Sequence, residues 1–128
     1  MEFRVDRSSG VAPYRQLVQQ VTEALRLGWL HSGAQLPVVR QVVASSGVNA
    51  NTVLKAYREL ELRGLVEVRQ GSGTFVTEHT EAIDVALLDV LRGELETWAD
   101  RAAAAGLTGG DIEALLRAVL SEKGVTTR

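Results

Sequence analysis

Asn49, Asn51, Thr52 and Lys55 stand close together in the run GVNANTVLK, and their side chains are of the kinds that read nucleotide bases. An asparagine amide pairs in bidentate fashion with adenine. A threonine donates, accepts or offers its methyl to thymine, and a lysine reaches guanine or a phosphate oxygen. A second polar group, Arg69-Gln70-Gly71-Ser72, follows in a stretch rich in turn formers. Such residues read DNA only if a rigid element carries the first group into a groove of the duplex.

The surrounding residues supply that element. Val39, Val42 and Val43 mark one face of a short helix, and Ser45-Ser46-Gly47 ends it, since serines favour turns and glycine tolerates positive φ. Asn49 is placed to cap a second helix. Along it Val53, Ala56, Tyr57 and Leu60 recur at helical spacing, with Asn51, Thr52, Lys55 and Arg58 opposite. Gly64 suits the residue just past its end. Val66-Glu67-Val68-Arg69 alternates as a half-buried strand does, Gln70 to Gly73 forms a turn, and Thr74-Phe75-Val76 returns. Helix, turn, helix and hairpin in this order make a winged helix-turn-helix, with sequence-specific binding of duplex DNA as the leading function. Asn49, Asn51, Thr52 and Lys55 then face the major groove, and Arg69, Gln70, Gly71 and Ser72 form a wing tip suited to a minor groove.

Blander roles compete at several positions. Asn49 is first a helix cap, and Thr52 can cap or solvate the same turn. Arg58 and Arg63 can pair with Glu59 and Glu61 or stay solvated. Tyr14 reads as core, although it and Arg15 could reach the DNA backbone.

Two further segments frame this unit. A first helix is expected from about Ala12 to Leu27, burying Tyr14, Leu17, Val18, Val21 and Leu25, with Gly28 after its end. Trp29, Leu30 and Leu36 bracket a loop and are expected in the core. Beyond about Glu81, a stripe of Ile83, Leu87, Leu91, Leu95, Trp98, Ala102 and Ala105 describes a long helix that Gly106 stops. Thr108 and Asp111 have capping-box spacing and open a last helix carrying Ile112, Leu115, Leu116, Val119 and Leu120, while Gly124 to Arg128 is expected to fray. Two amphipathic helices cannot enclose a core alone, so a second copy of the pair is expected to cover them. A four-helix interface with twofold symmetry results, with Ile83, Leu87, Leu91, Leu95, Trp98, Leu115 and Val119 as its contacts. Folding back onto the winged unit is the competing solution. The fold class is therefore mainly α with a small β-hairpin: a winged helix-turn-helix over residues 1–79 and a helical dimerisation domain over 80–128.

Composition bounds the rest. The chain has 128 residues, a hydrophobic fraction of 45% and no cysteine, which excludes disulfides and thiolate metal sites. No apolar run approaches membrane-spanning length, and MEFRVDRSSG lacks the apolar stretch of a signal peptide, so a cytoplasmic location is expected. The net charge of −2 divides unevenly. Residues 1–79 carry nine Lys/Arg against seven Asp/Glu, and residues 80–128 carry five against nine. The modest basic excess falls on the segment expected to meet DNA, and non-specific affinity should be weak and salt-sensitive. Enzymatic chemistry finds no support. His31 and His79 have no partners at metal-ligand spacing. Gly71-Ser72-Gly73 lacks a P-loop lysine and leads into a strand instead of a helix. No catalytic residue, metal or cofactor is expected.

The motifs themselves resemble those of the GntR family of bacterial transcription regulators, and most resemble its small YtrA-like branch. Leu36-Pro37 with Val39-Arg40 matches LP-x-VR, Gly47 to Glu61 matches GVN-x-NTV-x-KAY-x-ELE, and Gly71 to Val76 matches G-x-GTFV. PYRQLV at Pro13 to Val18 also fits. The similarity covers residues 1–78 closely and the remainder by length and helix count. It implies a DNA contact for Arg40 and a homodimer that represses transcription from a double-stranded DNA operator. Val38 stands where the family usually has serine, Leu54 where a polar residue is common, and Gln70 and Ser72 where wings are usually basic. Two alternatives stay open: a winged-helix protein-interaction module, and a regulator sensing a small-molecule effector at the dimer interface. Some 50 residues of paired helices leave little room for a pocket within one subunit.

Overall fold

The computed structural model describes residues 1–78 and 83–125, so His79, Glu81 and the last three residues of the expected frayed tail lie outside the description. The chain divides into two compact units, Met1–Ile83 and Asp84–Arg128, where a division at 79/80 was expected.

The first unit is built on three helices, α1 (Pro13–Arg26), α2 (Val39–Ser46) and α3 (Ala50–Leu62). Pro13 occupies the opening of α1, where its missing N–H leaves nothing unpaired. Leu17, Val18, Val21 and Leu25 are buried, as the spacing requires, and Tyr14 is half-buried at the edge of the core. Leu30 and Leu36 pack as expected, but Trp29 is 63% exposed. Gly28 adopts φ 75° there, and the Trp29 amide donates to the Ala24 carbonyl at 2.8 Å. That closure turns the chain after one αL residue and leaves Trp29 outside.

From α3 the chain enters the hairpin β1 (Val66–Arg69) and β2 (Gly73–Val76), antiparallel with Val66 opposite Val76 and Arg69 opposite Gly73. Of β1 only Val66 is buried. Val68 is 55% exposed, because the outer half of the hairpin projects past the core. Segment 33–36 runs along β2 as a third edge: the Gly33 and Leu36 amides donate to Val76 and Thr74 carbonyls, and the Val76 amide donates to Ala34. Tyr57 is buried, and its hydroxyl donates to the Pro37 carbonyl at 2.5 Å, fixing α3 to the start of α2. Desolvation raises the Tyr57 phenol well above its usual range, so the hydroxyl stays a donor.

The amino-terminal residues belong to this unit, as the expected domain 1–79 implies, and they join it through contacts that local sequence does not reveal. Phe3 is buried in the core. Gln16 and Gln20, one turn apart on α1, hold the strap with paired amide bonds. Gln16 accepts from the Asp6 amide and donates to the Asp6 and Val11 carbonyls, and Gln20 accepts from the Arg4 amide.

The second unit is the pair α4 (Val85–Ala104) and α5 (Gly109–Glu122). Asp84 caps α4, its carboxylate accepting the Ala86 and Leu87 amides. Ile83 therefore precedes the helix whose stripe it was expected to open. Its amide donates to the Arg26 carbonyl at the end of α1, placing it in the first unit. Thr108 and Asp111 form the expected capping box, with bonds of 3.1 and 2.9 Å. Those bonds hold the Asp111 carboxyl below its ordinary 3.8. A depressed carboxyl stabilises the folded end above 3.8, and the contribution disappears as pH falls through the lower folded value. Amide protection at Thr108 and Asp111 should thus fall in acid while that of mid-helix Leu116 persists. Hydrogen exchange followed by NMR checks this.

The apolar stripe of this unit is incompletely covered. Trp98, Ala102, Leu107 and Leu115 line a common hollow, and Ala102 is buried. Toward the start of α4 the stripe is bare, with Leu87, Leu91 and Leu95 each at least half exposed. Leu115, Leu116 and Val119 stand more than 40% exposed on α5.

Candidate nucleic-acid interface

The turn between α2 and α3 decides what the leading end of α3 presents. Gly47 lies at φ 73°, a conformation a side chain resists, and it closes α2 through its amide to the Val43 carbonyl. The Asn49 side chain accepts from the Asn51 amide at 2.8 Å, so its oxygen serves as the cap. The Asn49 amide nitrogen is left for a ligand. Asn51 and Lys55 are exposed on the next turn, Thr52 is half-buried, and Val53, Ala56, Tyr57 and Leu60 anchor the opposite face. Leu54, 46% exposed, shares the outer side. A rigid, inward-locked helix thus presents a polar leading edge.

Arg40 is exposed in the first turn of α2, whose start at Val38 has no side-chain cap. Among the described residues neither Arg40 nor Arg58 enters an ion pair, whereas Arg63 pairs with Glu59 at 3.2 Å. The surface alternative foreseen for Arg63 is the one realised.

The wing is held differently from α3. Arg69, Gln70, Gly71 and Ser72 are exposed at its tip, and the Ser72 amide donates to the Arg69 carbonyl. Arg69 leans back on its own hairpin: its guanidinium contacts the Glu67 carboxylate at 2.9 Å and lies 4.4 Å from the centre of the Phe75 ring. The wing's one arginine is therefore partly neutralised. Gln35 steadies the tip by donating to the Ser72 carbonyl at 3.0 Å. Gly73 at φ 127° leaves room for that side chain, since a Cβ there would lie 2.5 Å from Gln35 Nε2. Gly73→Ala should consequently displace Gln35, add backbone strain and destabilise the first unit by about 1–3 kcal/mol. Urea denaturation measures the loss.

Three contributions escaped the sequence reading. The Arg7 guanidinium donates to the Gly47 carbonyl at 2.8 Å, adding a cation at the helix-turn-helix corner from 40 residues away. Gln35 supports the wing. Lys55 lies 3.9 Å from the centre of the Tyr14 ring, which also has Arg15 within 5.5 Å. The Arg7–Gly47, Gln35–Ser72 and Lys55–Tyr14 pairings leave no local pattern, because each depends on distant segments meeting. Among the described residues there is no cluster of His, Cys, Asp and Glu able to hold a metal, and no helix is long and apolar enough to cross a membrane.

Residues 13–76 match the family model described as bacterial regulatory proteins, gntR family. The transcriptional regulator Rv1152 of Mycobacterium tuberculosis is 45% identical over 59% of this chain and 62% of its own. The transcriptional repressor YtrA of Bacillus subtilis is 37% identical over 62% of this chain and 61% of its own. The chain thus spans less than two thirds of the length of either relative. Among solved structures, YtrA from Sulfolobus acidocaldarius, a GntR-family transcription factor, superposes with a TM-score of 0.58 at 28% identity, over 81% of this chain and 99% of that one. The chain belongs to the GntR family of bacterial regulatory proteins.

Proposed function

We propose that this protein is a sequence-specific DNA-binding transcription regulator, acting as a homodimeric repressor on a near-palindromic operator. The observation that carries the reading is the leading end of α3, where Asn51 and Lys55 are exposed on a helix whose other face is locked into the core. Arg40 at the start of α2 and the wing tip 69–72 supply flanking contacts to backbone and minor groove. Family membership and the two relatives, named as a regulator and a repressor, point the same way.

The bare stripe Leu87, Leu91 and Leu95, with Leu115 and Val119 on α5, supports a dimer formed through the second unit. A second copy covers both faces in one closed twofold arrangement. Trp98 joins that seam from the end of the stripe, and Ile83 no longer belongs to it. Occupying a promoter excludes polymerase by bulk alone, so repression needs no bound effector. These features also fit action in the cytoplasm without enzymatic chemistry. A protein-interaction module is the second reading. It is favoured by the neutralised Arg69 and the small basic excess, and opposed by the exposed Asn51–Lys55 edge.

Selection from a random pool of duplexes tests the proposal. Recovery of two inverted half-sites related by helical repeats of the duplex is expected. An unenriched pool defeats the DNA reading, and a single asymmetric element defeats the dimer.

A further inference from the structure

Lys55 lies one turn beyond Asn51 on α3, yet its ammonium is not extended outward with Asn51. It sits 3.9 Å from the centre of the ring of Tyr14, the second residue of α1. A protonated amine over an aromatic face is held by the ring quadrupole, so the flexible lysine stem loses much of its freedom before any ligand arrives. Arg15 approaches the same ring at 5.5 Å, and neither cation enters an ion pair among the described residues. Two unneutralised charges thus gather beside the positive, amino-terminal end of α1.

On the reading that α3 enters the major groove, we infer that Lys55 is a backbone-phosphate contact positioned by Tyr14, and not a base reader. In helix-turn-helix docking only the leading part of the recognition helix meets base edges, whereas unpaired cations and helix amino termini outside it meet phosphate oxygens. A lysine drawn toward α1 therefore faces the strand, with Arg15 alongside. Base reading falls to Asn51 and Thr52. Tyr14 is a positioning residue: its ring fixes where the Lys55 charge is delivered.

A phosphate contact and a base contact differ in salt dependence and in sequence preference. Binding to the selected operator and to a shuffled duplex of equal length is measured between 50 and 200 mM salt by fluorescence anisotropy. Lys55→Gln should weaken both duplexes by the same factor, and the slope of log affinity on log salt should fall by about 0.9 for each bound copy. Tyr14→Leu should reproduce that pattern, and Tyr14→Phe, which keeps the ring, should restore it. In free protein, the Lys55 ε-methylene protons should resonate upfield in native and Tyr14→Phe chains and lose that shift in Tyr14→Leu. The inference fails if Lys55→Gln weakens operator alone at unchanged slope, if Tyr14→Leu binds like the native chain, or if the ring shift is absent. If Tyr14→Leu does not fold, the Lys55→Gln slope and the native ring shift still decide. A native chain that binds neither duplex overturns the DNA reading itself, leaving the ring shift to report the Tyr14–Lys55 contact separately.

Discussion

Leu91→Asp is expected to convert the protein to a monomer and to weaken operator binding by a factor on the order of 10²–10⁴. Leu91 is 50% exposed in the middle of the bare stripe on α4, between Leu87 and Leu95. A carboxylate there stays hydrated in a single chain, so the helix pair retains its fold. Within a four-helix seam the same group is buried without a partner, which costs several kcal/mol and prevents association. The loss on DNA follows from geometry. Two tethered winged units bind two half-sites with the second event intramolecular, and a monomer forfeits that gain. Light scattering should give the mass of one chain, and affinity for an isolated half-site should match that of the native protein. A variant that remains dimeric removes α4 from the interface.

Asn51→Ala is expected to cost about 1–3 kcal/mol per half-site and to relax base preference at one position of each. The residue is exposed, and its backbone amide already bonds to the Asn49 side chain, so truncation beyond Cβ removes nothing from the fold. Asn49→Ala makes the informative contrast. It removes the cap of α3 and should lower stability by about 1 kcal/mol, which denaturation detects. Affinity that falls in both variants, with stability falling only for Asn49→Ala, separates recognition from scaffold. Unchanged operator affinity in Asn51→Ala takes that residue out of the interface.

The contrast between Asn49 and Asn51 also marks what was legible in the sequence. Local chemistry predicted the Asn49 cap, the Gly47 and Gly64 terminations, the Thr108–Asp111 box and the apolar face Val53, Ala56, Tyr57, Leu60, because each depends on neighbours within one or two turns. Side chains whose partners lie far along the chain were misplaced or missed. Arg69 is expected only as part of the wing tip, and the structure adds its pairing with Glu67 on the same strand and with Phe75 across the hairpin. Arg7 reaches Gly47 only because Gln16 and Gln20 bind the amino-terminal strap to α1. Trp29 looked like core by type, yet the turn at Gly28 put it outside. Ile83 keeps the stripe's spacing but lies before Asp84, a residue type that caps helices and here marks the start of the stripe's helix.

In the proposed complex the edge formed by Arg40, Asn51, Thr52 and Lys55, with the wing tip beside it, meets the duplex. Titrating ¹⁵N-labelled native protein with its selected operator tests it most directly. Amide shifts should concentrate at Arg40, Asn51 to Lys55 and Arg69 to Ser72, with α5 unperturbed. Shifts confined to α4 and α5, or centred on the exposed Trp29 side of the first unit, would contradict it.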